Sequence, residues 1–186
     1  MGIFKFKETK IKGLYIVESL PFKDERGYFA ETYNEQDFFK AGLRMKFVQT
    51  NESFSSKGVL RGLHFQKTKP QGKLVRCIKG EVFDVAVDLR NNSPTYGMWE
   101  SVVLKEDSFL QFYIPEGFAH GFYVVSEFAQ FSYYVSNYYD KDDEAGLLWN
   151  DKDVLINWPL YGKEPILSEK DRNNTSLKDL NYKYSV

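Results

Sequence analysis

His64 and His120 are the only two histidines in the chain. Imidazole, with an ordinary pKa of about 6.5, can both take and give a proton near neutral pH. Each histidine follows a glycine-punctuated segment, VLRGLHFQ for the first and IPEGFAHGF for the second. Arg61, Lys73 and Arg76 stand nearby, so strand pairing can gather cations beside an imidazole. Arg61 and His64 fall on opposite faces of an ideal strand. Gly62 between them is a natural place for a bulge, which would turn both side chains to one side. In FAQFSYYVS, Ala129, Phe131, Tyr133 and Val135 share an apolar face, while Gln130, Ser132, Tyr134 and Ser136 share a polar one. Tyr133 is therefore expected to point inward and Tyr134 outward. The competing reading makes Tyr133 a core ring and each histidine a structural residue.

No metal centre is expected. Two histidines without H-x-H spacing leave no further ligand, unless carboxylates such as Glu81 or Glu116 join them. No G-x-x-x-x-G-K phosphate loop is present either.

The elements that must position these residues read as β. Strands are expected at Gly13–Leu20, Tyr28–Tyr33, Met98–Leu104, Phe109–Ile114, His120–Val125 and Phe128–Ser136. EVFDVAVDL puts Phe83, Val85, Val87 and Leu89 on one face and Asp84 and Asp88 on the other, the pattern of a half-buried strand. Asn34 is expected to cap a short helix over Glu35–Ala41, closed by Gly42, and Ser168 a helical turn through Glu169, Lys170 and Asp171. Many short strands with few helices imply a sandwich or barrel. Aromatic residues are 17% of the chain, which suits pleated, half-buried surfaces.

The 186 residues suit one domain over 1–186, with no internal repeat or linker composition. A net charge of -1 argues against nucleic acid, and no apolar run is long enough to span a bilayer. The opening MGIFKFKETKIKGLYIVE lacks the apolar core of a signal peptide, and Cys77 is the only cysteine, so a cytoplasmic location is expected.

The segments FKDERGYFAETY, FVQTNESFSSKGVLRGLHFQ, QGKLVRCIKGEVFDVAVDLRNNSPTYG, IPEGFAHGF and PILSEKD together resemble the dTDP-4-dehydrorhamnose 3,5-epimerase family, in that family's order and over nearly the whole chain. The resemblance implies a cupin-type double-stranded β-helix, or jelly roll, with a few short helices. It implies a homodimer, no cofactor and a metal-free site. The implied reaction inverts carbons 3 and 5 of dTDP-4-keto-6-deoxy-glucose to give dTDP-4-keto-L-rhamnose, a step towards dTDP-L-rhamnose. By position, His64 matches the base, Asp171 the carboxylate that orients it, Lys73 the group facing the oxyanion and Tyr133 the acid. Arg26, Glu31, Gln49, Asn51, Arg61, His120 and Glu144 match positions that bind the nucleotide sugar. Thr50 and Tyr134 depart from the family's usual acidic residue and lysine.

Those roles make chemical sense together. The ketone at carbon 4 acidifies the protons on carbons 3 and 5, and removing either leaves an enolate. A carboxylate behind imidazole fixes its tautomer and steadies the imidazolium. A placed cation stabilises the oxyanion, and an acid on the opposite face returns a proton with inversion. Two alternatives stay open at this level: a relative inverting one carbon of another 4-keto sugar nucleotide, and a sugar-nucleotide binding module or metal-dependent oxygenase on the same scaffold.

Overall fold

The computed structural model describes residues 3–182 and residue 184. In chain order the first strands are β1 (Phe4–Glu8), β2 (Tyr15–Ser19), β3 (Phe22–Asp24), β4 (Gly27–Phe29), β5 (Gln49–Ser56), β6 (Leu60–Gln66) and β7 (Lys73–Lys79). They continue with β8 (Glu81–Asp88), β9 (Trp99–Lys105), β10 (Leu110–Ile114), β11 (Phe118–Val124), β12 (Phe128–Val135) and β13 (Glu144–Gly146). Helices α1 (Glu35–Lys40) and α2 (Glu169–Arg172) are short. No helix among the described residues is long and apolar enough to cross a membrane.

Two antiparallel sheets carry the fold, as a jelly roll requires. One runs β1-β2-β10-β7-β12-β5 and the other β13-β6-β11-β8-β9, with β3 and β4 forming a separate hairpin. Residues from both sheets interdigitate between them: Val75 and Phe112 and Phe131 from the first meet Val82, Ala86 and Phe122 from the second. Phe112 and Phe131 are fully buried, each contributing about 2–3 kcal/mol of hydrophobic stabilisation.

Both outer faces are also largely covered. Chain beyond β13 folds back on the five-stranded sheet, where Leu147, Val154, Trp158 and Tyr182 pack on Val85, Val87 and Leu89. Helix α1 covers part of the six-stranded sheet through Phe38, which packs on Phe4, Val17 and Leu74. Asn34 Oδ1 accepts from the amides of Gln36 (3.0 Å) and Asp37 (3.3 Å), the expected cap, and Ala41 ends the helix before Gly42.

Three expectations change. β8 is not half-buried: Asp84 and Asp88 are both fully buried, because their face looks between the sheets while the other lies under the C-terminal chain. Asp88 is satisfied there by Arg90 (Nε 2.8 Å, Nη2 2.7 Å), Ser93 (2.6 Å) and Thr95 (2.7 Å). The strand expected over Tyr28–Tyr33 stops at Phe29, since the Thr32 carbonyl accepts from the Gln111 side chain (2.8 Å) rather than from a neighbouring strand. Tyr134 does face away from the barrel interior, yet it lies against Tyr33 and Phe47 rather than in solvent, because the chain around α1 covers that face.

Candidate active site

A pocket of about 470 Å³ opens between the sheets, lined by His64, Lys73, His120, Tyr133 and Asp171 together with Arg61 and Glu144. Its geometry begins at a bulge. His64 pairs with His120 and Arg61 with Phe122, so Gly62 and Leu63 on β6 oppose Gly121 alone on β11. The extra residue reverses the side-chain alternation, and both Arg61 and His64 reach the pocket. Gly62 is required there: its φ is +120°, and an added Cβ would lie 2.6 Å from the Gly121 Cα and 2.8 Å from the His120 carbonyl oxygen.

His64 Nε2 lies 2.5 Å from Asp171 Oδ1. The two residues meet across the chain because Ser168 caps α2 by accepting from the Asp171 amide (3.1 Å), and α2 packs on β6. Burial pushes the Asp171 carboxyl up, but the hydrogen bond and charge of His64, with the Ser168 hydroxyl, more than offset this and hold it below its ordinary value. An ionised Asp171 makes Nε2 the N–H nitrogen. Nδ1 then keeps its lone pair free to accept a proton, with Glu144 Oε1 3.9 Å away.

A second imidazole–carboxylate pair stands beside the first. His120 Nε2 lies 3.1 and 3.0 Å from the two Asp84 oxygens. Burial works against charge on both partners, pushing the His120 imidazole down and the Asp84 carboxyl up. His120 is thus neutral, donates Nε2–H to Asp84, and stacks at 18° on the Phe131 ring with centroids 6.2 Å apart.

Lys73 is almost fully buried, with Nζ 3.5 Å from the His64 carbonyl oxygen. Burial lowers its pKa to about 8, while the charges of Asp84 and Glu144 draw it back up. Tyr133 projects from β12, the sheet opposite His64, and stays a protonated phenol: burial raises its pKa and Glu144 adds to the rise, with Arg61 pulling the other way. His64 and Tyr133 therefore stand on opposite walls. Arg61 is steadied by Nε donating to Ser55 Oγ (2.9 Å).

Other expected residues lie elsewhere. Gln49 and Asn51 sit on β5 on the same face as pocket-lining Ser53; Gln49 Nε2 donates to Asn51 Oδ1 (2.7 Å), and its own oxygen accepts from the Tyr139 amide (3.1 Å). Arg26 is outside the pocket. It occupies the β3–β4 turn with its side chain 85% exposed, paired to Asp24 at 2.5 Å. Glu31 is also outside, its carboxylate accepting from the Asn34 side chain (2.8 Å) beside α1.

The lining residues that sequence reasoning missed include Lys170, Tyr139 and Ser53. Lys170 forms an ion pair with Glu144, and the Tyr139 hydroxyl donates to the same carboxylate (2.7 Å). Burial pushes Glu144 up, and these two partners more than offset it, leaving its pKa below the ordinary value. Ser53 presents a buried hydroxyl with no partner among the described residues. The signal for Lys170 was its place beside Asp171 in PILSEKD; nothing in the sequence marked Ser53. Among the described residues, no three His, Cys, Asp or Glu side chains are disposed to hold a metal ion.

The family model for dTDP-4-dehydrorhamnose 3,5-epimerase matches residues 8–179. A dTDP-4-dehydrorhamnose 3,5-epimerase of Methanothermobacter thermautotrophicus is 51% identical over 180 residues, covering 96% of this chain and 97% of that protein. The crystal structure of a dTDP-4-dehydrorhamnose 3,5-epimerase from Elizabethkingia anophelis superposes with a TM-score of 0.93 at 51% identity, covering 97% of this chain and 100% of that one. A dTDP-6-deoxy-D-glucose-3,5-epimerase from Legionella pneumophila, solved with dTDP-4-keto-L-rhamnose, gives 0.94 at 42% identity over 98% and 100%. Matched over nearly its whole length in both sequence and fold, the chain belongs to the dTDP-4-dehydrorhamnose 3,5-epimerase family.

Proposed function

We propose that the protein inverts carbons 3 and 5 of dTDP-4-dehydro-6-deoxy-D-glucose to give dTDP-4-dehydro-L-rhamnose, in the synthesis of dTDP-L-rhamnose. One observation carries the reading: a carboxylate-backed imidazole and a protonated phenol face each other across a pocket that also holds a buried ammonium. His64 Nδ1 takes the proton from the carbon beside the ketone, and Asp171 steadies the imidazolium that forms. The electron pair moves to the carbon-4 oxygen. Lys73, protonated below about pH 8, stabilises that oxyanion by about 3–4 kcal/mol. Tyr133 delivers a proton from the opposite wall, so the carbon is inverted. The second carbon follows by the same steps after the ring presents its other side, and water reprotonates the phenolate and relieves the imidazolium. His120, Arg61, Gln49, Asn51, Glu144 and Lys170 are assigned to holding the nucleotide sugar, with no cofactor required.

The same reading makes the working form a homodimer with one epimerase domain per chain. Arg26 cannot serve the pocket of its own chain from an exposed turn, and its hairpin carries exposed Phe22, Tyr28 and Phe29. An arginine suited to diphosphate, set among exposed rings, fits a segment that completes the neighbouring subunit's pocket.

Proton NMR of the 4-keto substrate in deuterium oxide tests the reaction. Deuterium at both carbons 3 and 5 is the expected result, exchange at one carbon would mark a single-carbon epimerase, and no exchange would sink the assignment. In Tyr133→Phe, product should fall about 100-fold while some exchange survives, because the base is intact. Equal, complete loss of both would remove Tyr133 as a separate acid.

A further inference from the structure

A second cavity, of about 690 Å³, opens where the β1–β2 turn, the α1–β5 loop and the segments after β8 and β10 converge. It shares no lining residue with the catalytic pocket. Lys10, Lys12, Arg44 and Arg90 line it, against the single carboxylate of Glu116. Lys10, Lys12 and Arg44 enter no ion pair among the described residues. The Glu116 carboxylate is already turned to protein donors, taking the Ser136 hydroxyl (2.8 Å) and that of Tyr184.

Arg90 differs from the other cations because it is fixed in place. Asp88 binds its Nε and Nη2 from behind, and its guanidinium lies 4.5 Å over the Phe118 ring. The side chain is only 13% exposed. Nη1 is the nitrogen left out of those bonds, and it faces Gly13 at the cavity wall, 3.6 Å from where a Cβ would stand. A guanidinium held rigid, half-desolvated and with one edge uncommitted is a preorganised anion donor. Met45, Pro94, Pro115 and the Tyr184 ring add apolar wall. The volume falls within the range of small-molecule sites.

We propose that this cavity is a second nucleotide-binding site, with phosphates between Arg90 and the Lys10–Lys12 turn and the base against the apolar wall. Equilibrium dialysis with dTDP tests it, comparing the wild-type protein with the double variant Lys12→Glu/Arg44→Glu. Both residues are exposed and neither belongs to the catalytic pocket, so unchanged turnover at low nucleotide will report an intact fold. Two bound nucleotides per chain in the wild type and one in the variant are expected. One in both, or two in both, would overturn the proposal. One in the wild type and none in the variant would support this cavity while removing dTDP recognition from the catalytic pocket.

Discussion

Burial holds Lys73 at a pKa of about 8, against 10.5 for a free lysine, with Asp84 and Glu144 drawing it upward. Its ammonium is charged below that value, so turnover should decline along a one-proton limb as pH rises through about 8. A pH profile of kcat/KM, which reports the free enzyme, flat to pH 10 would remove Lys73 as the oxyanion's partner. The sign for stability is opposite. The unfolded chain keeps this proton up to about pH 10.5 while the folded one releases it near 8, so this group makes folding more favourable as pH rises between the two. Holding the charge at neutral pH costs about 3 kcal/mol. Lys73→Met should therefore lose about 100- to 1,000-fold in kcat yet gain about 1–3 kcal/mol in urea unfolding. A variant both inactive and less stable would mean that burying the Lys73 charge carries no such cost. At this scale the types were readable, but the pairings were not. Asp84 read as a solvent-side residue because alternation reports only the contrast between faces. Its place behind His120 depends on the β8–β11 ladder and its burial on the opposite sheet, and no local pattern encodes either.

The β6–β11 ladder shows how an element corrects its own residues. Strict alternation separates Arg61 from His64, and the two-against-one bulge at Gly62 and Gly121 reunites them. The glycine was a legible signal for such a bulge; its closeness to the partner backbone was not. Gly62→Ala should destabilise the fold by about 3 kcal/mol, from a left-handed φ and a Cβ pressed into backbone. An unchanged urea midpoint would mean the bulge relaxes freely. Strands β8 and β12 followed from periodicity, and α1 and α2 from their asparagine and serine caps, since those signals are local. The short β4 and the covered outer faces were illegible, because a distant glutamine side chain and the returning C-terminal segment decide them.

For the whole molecule, seven of the eleven expected site residues line one pocket. Gln49 and Asn51 lie beside it on β5, while Arg26 and Glu31 stand apart from it and precede β5 in the chain. Family resemblance could name them, but within a single chain Arg26 and Glu31 stand away from His64. Suppose the β3–β4 hairpin serves the neighbouring subunit. His64→Ala and Arg26→Ala then damage the same site from different chains, and each variant alone should be nearly inactive. Mixed after co-refolding, half of the dimers are hybrids by random pairing. In every hybrid one site carries both lesions and the other carries none. About a quarter of wild-type activity should return from two dead proteins, the ceiling for one sound site in every second dimer. No recovery from a mixture shown to contain hybrids would place both residues in a single chain's site. The exposed turn thus turns a question of geometry into one of genetics, in which two recessive lesions complement within one protein.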